Sequence, residues 1–284
     1  MDGFAKSIKL FLIDGTPNGR WICELSNWTG KAFKIPRTSI LKCDDRKELK
    51  SPGLYFLFGR NDLDQEVVYI GESENVLDRI KQHLTGKDYW TECVIFISKD
   101  DFLNKAHIKY LENRFHKIAA EVSRYKVMNS NSPTKSSLSE ADIAELEEFI
   151  YNARLMINTL GFKAFEPLAE NFKKDDAETL SLSIAGVSAS GQVTSEGFVL
   201  FKGSSVCKNP AGSLGKSMLA KRDKYISEGK IDKNLIITED ILFASPSGAS
   251  DFVLGYSSSG PQTWKNRKGQ SLKEIESLKS QNVF

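Results

Sequence analysis

The sequence predicts a mixed α/β (α+β) protein. Its first domain has a small three-stranded antiparallel sheet flanked by helices, with an N-terminal β-hairpin element before it and a second small α+β domain after it. Three observations lead there. Short runs rich in β-branched and aromatic residues recur at 53–58, 67–70 and 93–97. Apolar residues at helical spacing follow over 101–122 and 139–159. A polar stretch poor in large apolar residues then precedes a second set of strand and helix patterns from Gly197 onward. The expected divisions are a hairpin extension over 1–46, a domain over 47–165, a linker over 166–192 and a C-terminal domain over 193–284.

Taken in order, residues 7–13 and 20–25 are strand-like, and the turn formers of 14–19 between them suggest a hairpin. Trp28 to Arg37 interleaves aromatic residues with Lys31, Lys34 and Arg37, a mixture suited to stacking on bases and to contact with phosphates. Two strands follow at 53–58 and 67–70 around a polar loop. Val76, Leu77, Ile80 and Leu84 mark a helix over 75–84, and Cys93–Ile97 reads as the third strand. Ser139 is placed to cap the helix through Thr159, and the acidic residues just after it suit the helix dipole. The last third opens on a strand at 197–201, followed by helices over 214–228 and from about Pro246.

With 284 residues, 40% of them hydrophobic and 27% charged, the chain has the composition of a soluble globular protein that can bury a proper core. No apolar run approaches the roughly 20 residues of a membrane span, and Met1–Lys9 lacks the pattern of a secretory signal. Cys23, Cys43, Cys93 and Cys207 are far apart, which argues against a zinc site or disulfide framework and for a cytoplasmic location. The net charge of +2 divides unevenly, with about +4 in residues 1–50, −6 in 51–190 and +4 in 191–284. Basic flanks around an acidic middle suit a protein that grips a polyanion by its ends.

The chemistry-bearing pattern lies in that acidic middle. Gly53-Leu54-Tyr55 and Tyr69-Ile70-Gly71 place one tyrosine on each of two adjacent strands, and a sheet can hold both hydroxyls on one face. Glycines at both places let a backbone or a substrate come close. Arg79 and His83, four apart, share one face of the following helix. A guanidinium can pair with phosphate oxygens and stabilise the charge that builds in a transition state.

These residues resemble the GIY-YIG nuclease superfamily. In that family Tyr-[Ile/Val]-Gly is followed by an arginine ten residues after the tyrosine and a histidine or tyrosine four further on, as Tyr69, Arg79 and His83 are here. Leu54 replaces the name-giving isoleucine of the first motif, an apolar change without chemical consequence. The resemblance implies that Glu112, on a later helix, is the sole protein ligand of Mg2+ or Mn2+. It implies that Asn129, with Asn131 as its rival, helps to fix the substrate or the site's loops. Tyr69 would be the general base or a proton relay for the attacking water. His83 would hydrogen-bond the nucleophile, Tyr55 or the phosphate. The metal at Glu112 would stabilise the leaving 3′ oxygen. Glu72, directly after Tyr-Ile-Gly, departs from the lysine or polar residue of some members and would repel a phosphate unless offset.

The C-terminal third resembles a small domain of unknown function that often follows GIY-YIG nuclease domains in bacterial proteins. Its Lys202, Lys221, Arg222 and Lys265, with Trp264 for stacking, are expected to contact nucleic acid. A homodimer or protein partner through this domain is the competing expectation. Gly212 to Ser217 imitates a phosphate loop, but Pro210 stands where its first glycine belongs. His107, Glu112 and His116 lack the spacing of a zinc hydrolase. The expectation is thus a metal-dependent endonuclease acting on DNA, with RNA as the other polymer, in host defence or restriction. The alternative is a nucleic-acid-binding protein with a degenerate, non-cleaving site.

Overall fold

The computed structural model describes residues 4–130, 138–168 and 179–281. The chain divides into two units, Met1–Glu166 and Pro167–Phe284. Among the described residues no helix is long and apolar enough to cross a membrane.

The first unit contains strands β1 (Ile8–Leu12), β2 (Trp21–Leu25), β3 (Gly30–Pro36), β4 (Gly53–Arg60), β5 (Glu66–Ser73), β6 (Trp90–Ser98) and β7 (Lys126–Val127). Its helices are α1 (Val76–Gly86), α2 (Lys105–Val122) and α3 (Glu140–Thr159). All seven strands form one sheet in the order β1-β2-β3-β6-β4-β5-β7, and only the short β5–β7 pairing is parallel. The three expected strands are β4, β5 and β6, but the sheet extends beyond them. β3 pairs with β6 from Gly30↔Ser98 to Pro36↔Glu92, so the N-terminal hairpin continues the sheet. The cause is in β3 itself: Ala32 packs on one face while Phe33 and Ile35 pack on the other. A strand apolar on both sides needs cover on both faces, which α3 provides on one and the 3-10 turns after β3 provide on the other.

Alternation along β4 sorts its side chains between two cores. Leu54, Phe56 and Phe58 join Leu111 and Phe115 of α2 and Phe149 of α3. Tyr55 and Leu57 turn the other way, toward Val76, Leu77 and Ile80 of α1 and toward Ile40 and Leu49 of the two 3-10 turns that precede β4. Each such buried side chain contributes about 1.5–3 kcal/mol, so the central strand anchors both layers.

Local chemistry fixes the helix ends. The Asn75 side chain accepts from the Asp78 N–H to start α1. At its other end the Arg37 guanidinium donates to the Leu84 and Lys87 carbonyls at 2.8 and 2.6 Å, satisfying acceptors that the helix leaves open. Helix α2 starts later than its apolar periodicity suggests, because Asp101 adopts a left-handed φ of 56° and Asn104 caps the helix. Ser139 and Asp142 cap each other at the start of α3.

The second unit holds β8 (Leu180–Ile184), β9 (Val187–Thr194), β10 (Gly197–Leu200) and β11 (Ile241–Phe243), with α4 (Lys216–Ser227), α5 (Pro246–Leu254), α6 (Gly260–Thr263) and α7 (Leu272–Gln281). Its antiparallel sheet runs β11-β10-β9-β8. Residues 180–192, expected within a linker, form β8 and most of β9. Leu180, Leu182, Val187 and Ala189 are buried at alternate positions, and the serines between them give the stretch its polar appearance. Residues 169–178 of that expected linker lie outside the described residues.

Candidate active site

The two tyrosines meet through sheet register. Tyr55 on β4 stands opposite Gly71 on β5, and Leu57 stands opposite Tyr69. Tyr55 and Tyr69 are therefore diagonal neighbours on one face, with ring centroids 6.2 Å apart and planes 29° apart. Gly71 makes this possible, because a Cβ built there would lie 2.3 Å from both Cζ and Oη of Tyr55. The phenol lies across the β5 backbone in the space that any other residue would fill.

Helix α1 brings His83 to the same face. The Tyr55 hydroxyl lies 2.8 Å from His83 Nε2, and the His83 ring is 5.2 Å from that of Tyr69. Tyr55 and His83 are buried, while Tyr69 is half-buried. Burial, helped by the charges of Arg79 and Lys87, lowers the His83 pKa to about 4, so its ring is neutral near pH 7. Burial and the neighbouring Tyr69 push the Tyr55 phenol well above its ordinary range, with Arg79 acting in the opposite direction. Both partners of this hydrogen bond are thus uncharged.

Arg79, one turn before His83, is exposed and donates to Gln82 Oε1 at 2.9 Å. Burial lowers its pKa, and the Tyr55 and Tyr69 phenols beside it outweigh that effect and raise it. Its charge also reaches across to Glu112 on α2, the helix that covers the opposite face of the sheet.

Glu112 is half-buried, and its carboxylate has no hydrogen-bond or ion-pair partner among the described residues. Burial and the nearby Glu72 raise its pKa to about 7, against the pull of Lys105, Arg79 and Lys109. Among the described residues no three His, Cys, Asp or Glu side chains gather into a metal-holding group, so a cation here would have one carboxylate or two. Glu72 is engaged by Lys105 Nζ at 2.9 and 2.8 Å, which neutralises the repulsion expected from a carboxylate at that position. His107 and His116 do not join Glu112: His107 binds the Phe102 carbonyl at 2.9 Å from its Nδ1.

Asn129 acts on the backbone. Its amide donates to the Ile70 carbonyl at 2.7 Å and accepts from the Ile70 N–H at 3.1 Å, extending the β5–β7 pairing by one side chain. This pins the Tyr69-Ile70-Gly71 segment. Asn131 lies outside the described residues.

Two neighbours of the site were not legible as such in the sequence. The Lys87 ammonium lies 4.2 Å from the centroid of the Tyr69 ring. Tyr89 packs with Tyr69 on the same core, and its hydroxyl is buried without a hydrogen-bond partner among the described residues. The available signal for Lys87 was spacing: Arg79, His83 and Lys87 recur every four residues. A cavity of about 620 Å³ is lined by Phe58, Arg60, Asp88, Tyr89, Tyr125 and Phe162; it borders the site's surroundings at Tyr89 and includes none of the expected site residues.

Most of the expected nucleic-acid contacts are committed within the protein. Lys31 pairs with Glu48 at 3.2 Å and Lys34 with Glu92 at 2.9 Å. The Lys34 ammonium also covers the Trp21 and Phe162 rings. Arg37 caps α1 and stacks on Trp90. The interleaving of basic and aromatic residues in 28–37 is thus largely internal packing of a central strand. Trp264 is fully buried against Phe198, and its indole N–H donates to the Pro246 carbonyl, so it offers no exposed stacking surface. Arg222 is buried, donating to the Phe252 and Cys207 carbonyls. Lys221 lies over the Phe243 ring, with burial lowering its pKa. Lys202 and Lys265 are exposed. The internal partners of these side chains have one cause: a cation or tryptophan in a small domain is also building material.

Residues 180–276 match the family model described as Domain of unknown function (DUF4357), which spans β8 through the first half of α7. No curated protein and no solved structure matches the chain.

Proposed function

We infer that the first unit is a metal-dependent endonuclease of the GIY-YIG type that hydrolyses phosphodiester bonds in DNA, with host defence or restriction as its setting. The observation that carries this reading is the meeting of Tyr55, Tyr69 and His83 on one face of the sheet, with the Tyr55 hydroxyl 2.8 Å from His83 Nε2 and the Tyr69 ring 6.2 and 5.2 Å from those of Tyr55 and His83, and with Arg79 one turn before His83 on the same helix. The layering supports it: α1 packs on the sheet face that carries Tyr55 and Tyr69, and α2, which carries Glu112, packs on the other face of the same strands.

The residues present suit a divalent cation. A half-buried carboxylate without a protein partner, its pKa raised to about 7 by burial and Glu72, is a group that a bound cation would hold ionised. At Glu112, Mg2+ or Mn2+ would supply charge stabilisation at the leaving 3′ oxygen, with waters and phosphate oxygens completing its shell. Arg79 binds oxygens of the scissile phosphate and offsets the charge that grows on them. Tyr69, the half-buried member of the pair, takes the proton of the attacking water as base or relay. The neutral Tyr55–His83 pair holds the floor of the site and leaves the positive charge to Arg79 and Lys87. Lys105 neutralises Glu72 and lowers the barrier to a phosphate approaching from that side. The C-terminal unit, of a kind that often accompanies such nucleases, contributes target or partner contacts, with exposed Lys202 and Lys265 as candidates.

The deciding experiment incubates the protein with plasmid and single-stranded DNA in Mg2+ or Mn2+, beside Arg79→Ala and Glu112→Ala. Cleavage by the wild type and loss in both variants is expected. Cleavage that persists in both would sink the site assignment. Tight binding without cleavage by any form would replace the reading with that of a non-cleaving nucleic-acid-binding protein.

A further inference from the structure

We propose that Lys87 binds a second phosphate of the substrate, so that the site holds two phosphates of one polynucleotide chain. This rests on the phosphodiesterase reading and assigns Lys87 a contact on the polymer backbone beyond the scissile phosphate.

Three independent observations converge on Lys87. First, it is a held cation at the tyrosine face. Its ammonium lies 4.2 Å from the Tyr69 ring centroid. Its own backbone is tied by N–H donation to the His83 carbonyl at 3.2 Å and by Arg37 donating to its carbonyl at 2.6 Å.

Second, its charge is uncompensated. Lys31, Lys34, Lys81, Lys99, Lys105 and Lys230 each pair with a carboxylate. Among the described residues Lys87 pairs with none, and neither does Arg79, whose side chain turns to Gln82 and the phenols. Burial and the charge of Arg79 lower the Lys87 pKa, as expected for two like charges held together without an anion. An anion placed among them relieves both effects.

Third, Tyr89, two residues on in sequence, borders the same core as Tyr69 and has a buried hydroxyl without a hydrogen-bond partner among the described residues. Burial and Tyr69 push its pKa up to about 12, so it remains a neutral donor.

The rival role for Lys87 is structural: a cation just past the C-terminus of α1 complements the helix dipole. That role changes stability and leaves ligand binding alone, which separates the two.

The test uses the full chain without metal, so that nothing is cleaved, and labelled single- and double-stranded DNA oligonucleotides. Fluorescence anisotropy follows binding over a range of salt concentrations for the wild type, Arg79→Ala, Lys87→Met and Lys87→Arg. Lys87→Met is expected to weaken binding to all sequences alike and to reduce the slope of log K against log salt by about 0.7–0.9. Arg79→Ala lowers it similarly, and Lys87→Arg restores it. An unchanged slope and affinity in Lys87→Met beside a loss in Arg79→Ala overturns the second phosphate site and leaves the nuclease reading intact. A wild type that binds no oligonucleotide overturns both. Should Lys87→Met fail to fold, the wild type still decides. A nucleoside 3′,5′-bisphosphate is expected to displace the oligonucleotide at lower concentration than a nucleoside 5′-monophosphate, and equal displacement overturns the proposal.

Discussion

The Tyr55 hydroxyl and His83 Nε2 form a buried hydrogen bond 2.8 Å long between two uncharged groups. It joins the central strand to α1 across 28 residues of sequence, and it fixes the α1 face that carries Arg79. Removing one partner leaves the other buried and unsatisfied, which costs about 1–3 kcal/mol. Tyr55→Phe and His83→Phe are each expected to destabilise the first unit by that amount in urea unfolding. The double variant should lose less than the sum, with a coupling of about 0.5–1.5 kcal/mol. Strict additivity would mean that the bond contributes nothing.

How much of this was legible in the sequence depends on the kind of information involved. Tyr55, Tyr69, Arg79 and His83 could be brought together from sequence because strand alternation and helix spacing are local rules. Their meeting depends on register, and Gly71 opposite Tyr55 carries that register visibly. The extent of the sheet was less legible, because pairing between β3 and β6 joins residues about sixty positions apart. The fate of the cations was hidden for a similar reason. Lys31 and Lys34 look available until Glu48 and Glu92 are folded against them. Trp264 looks like a stacking platform until Phe198 covers it. Glu112 could be placed only by analogy, since nothing in α2 alone distinguishes a half-buried carboxylate from a solvated one.

Two groups in the site give stability opposite dependences on pH. His83 has its pKa lowered from 6.5 to about 4 in the folded protein, so the unfolded chain takes up the proton first as pH falls. Its contribution is complete above about pH 6.5 and is lost toward pH 4. His83→Gln should flatten the loss of stability across that window. A wild-type curve as flat as that of the variant would contradict the neutral, buried histidine.

Glu112 behaves in the opposite sense, with its pKa raised from 4.5 to about 7. Its contribution is complete below about pH 4.5 and is lost as pH rises through 7. Glu112→Gln should therefore gain on the wild type between pH 5 and pH 8 in thermal unfolding. Mg2+ at pH 8 is expected to stabilise the wild type and leave Glu112→Gln unmoved. A metal response of equal size in both proteins would place the cation elsewhere.

Gly71→Ala tests the close approach of Tyr55 to β5. The added methyl group meets Tyr55 Cζ and Oη at 2.3 Å, so the phenol must move away from His83. Overpacking of this kind costs about 1–3 kcal/mol, and the cleavage proposed for the first unit should fall with it. Gly86→Ala is the matched control, since its Cβ meets nothing within 4 Å. A variant at Gly71 as stable and active as the one at Gly86 would show that the phenol does not need this space.

Trp264 and Lys265 are adjacent in sequence and opposite in role. Trp264 is completely buried, with its ring centroid 4.5 Å from that of Phe198 and its indole N–H bound to the Pro246 carbonyl at 2.9 Å. Its replacement by alanine removes a large part of the second core and should cost about 3–5 kcal/mol, read as rapid proteolysis within residues 180–281. Lys265 is exposed, and Lys265→Ala should leave that stability unchanged. If the C-terminal unit contacts nucleic acid as proposed, Lys265→Ala lowers the salt slope of binding by up to about 0.7–0.9. Loss of binding in Trp264→Ala alone would then report unfolding, and only the lysine variant speaks to contact with the phosphate backbone.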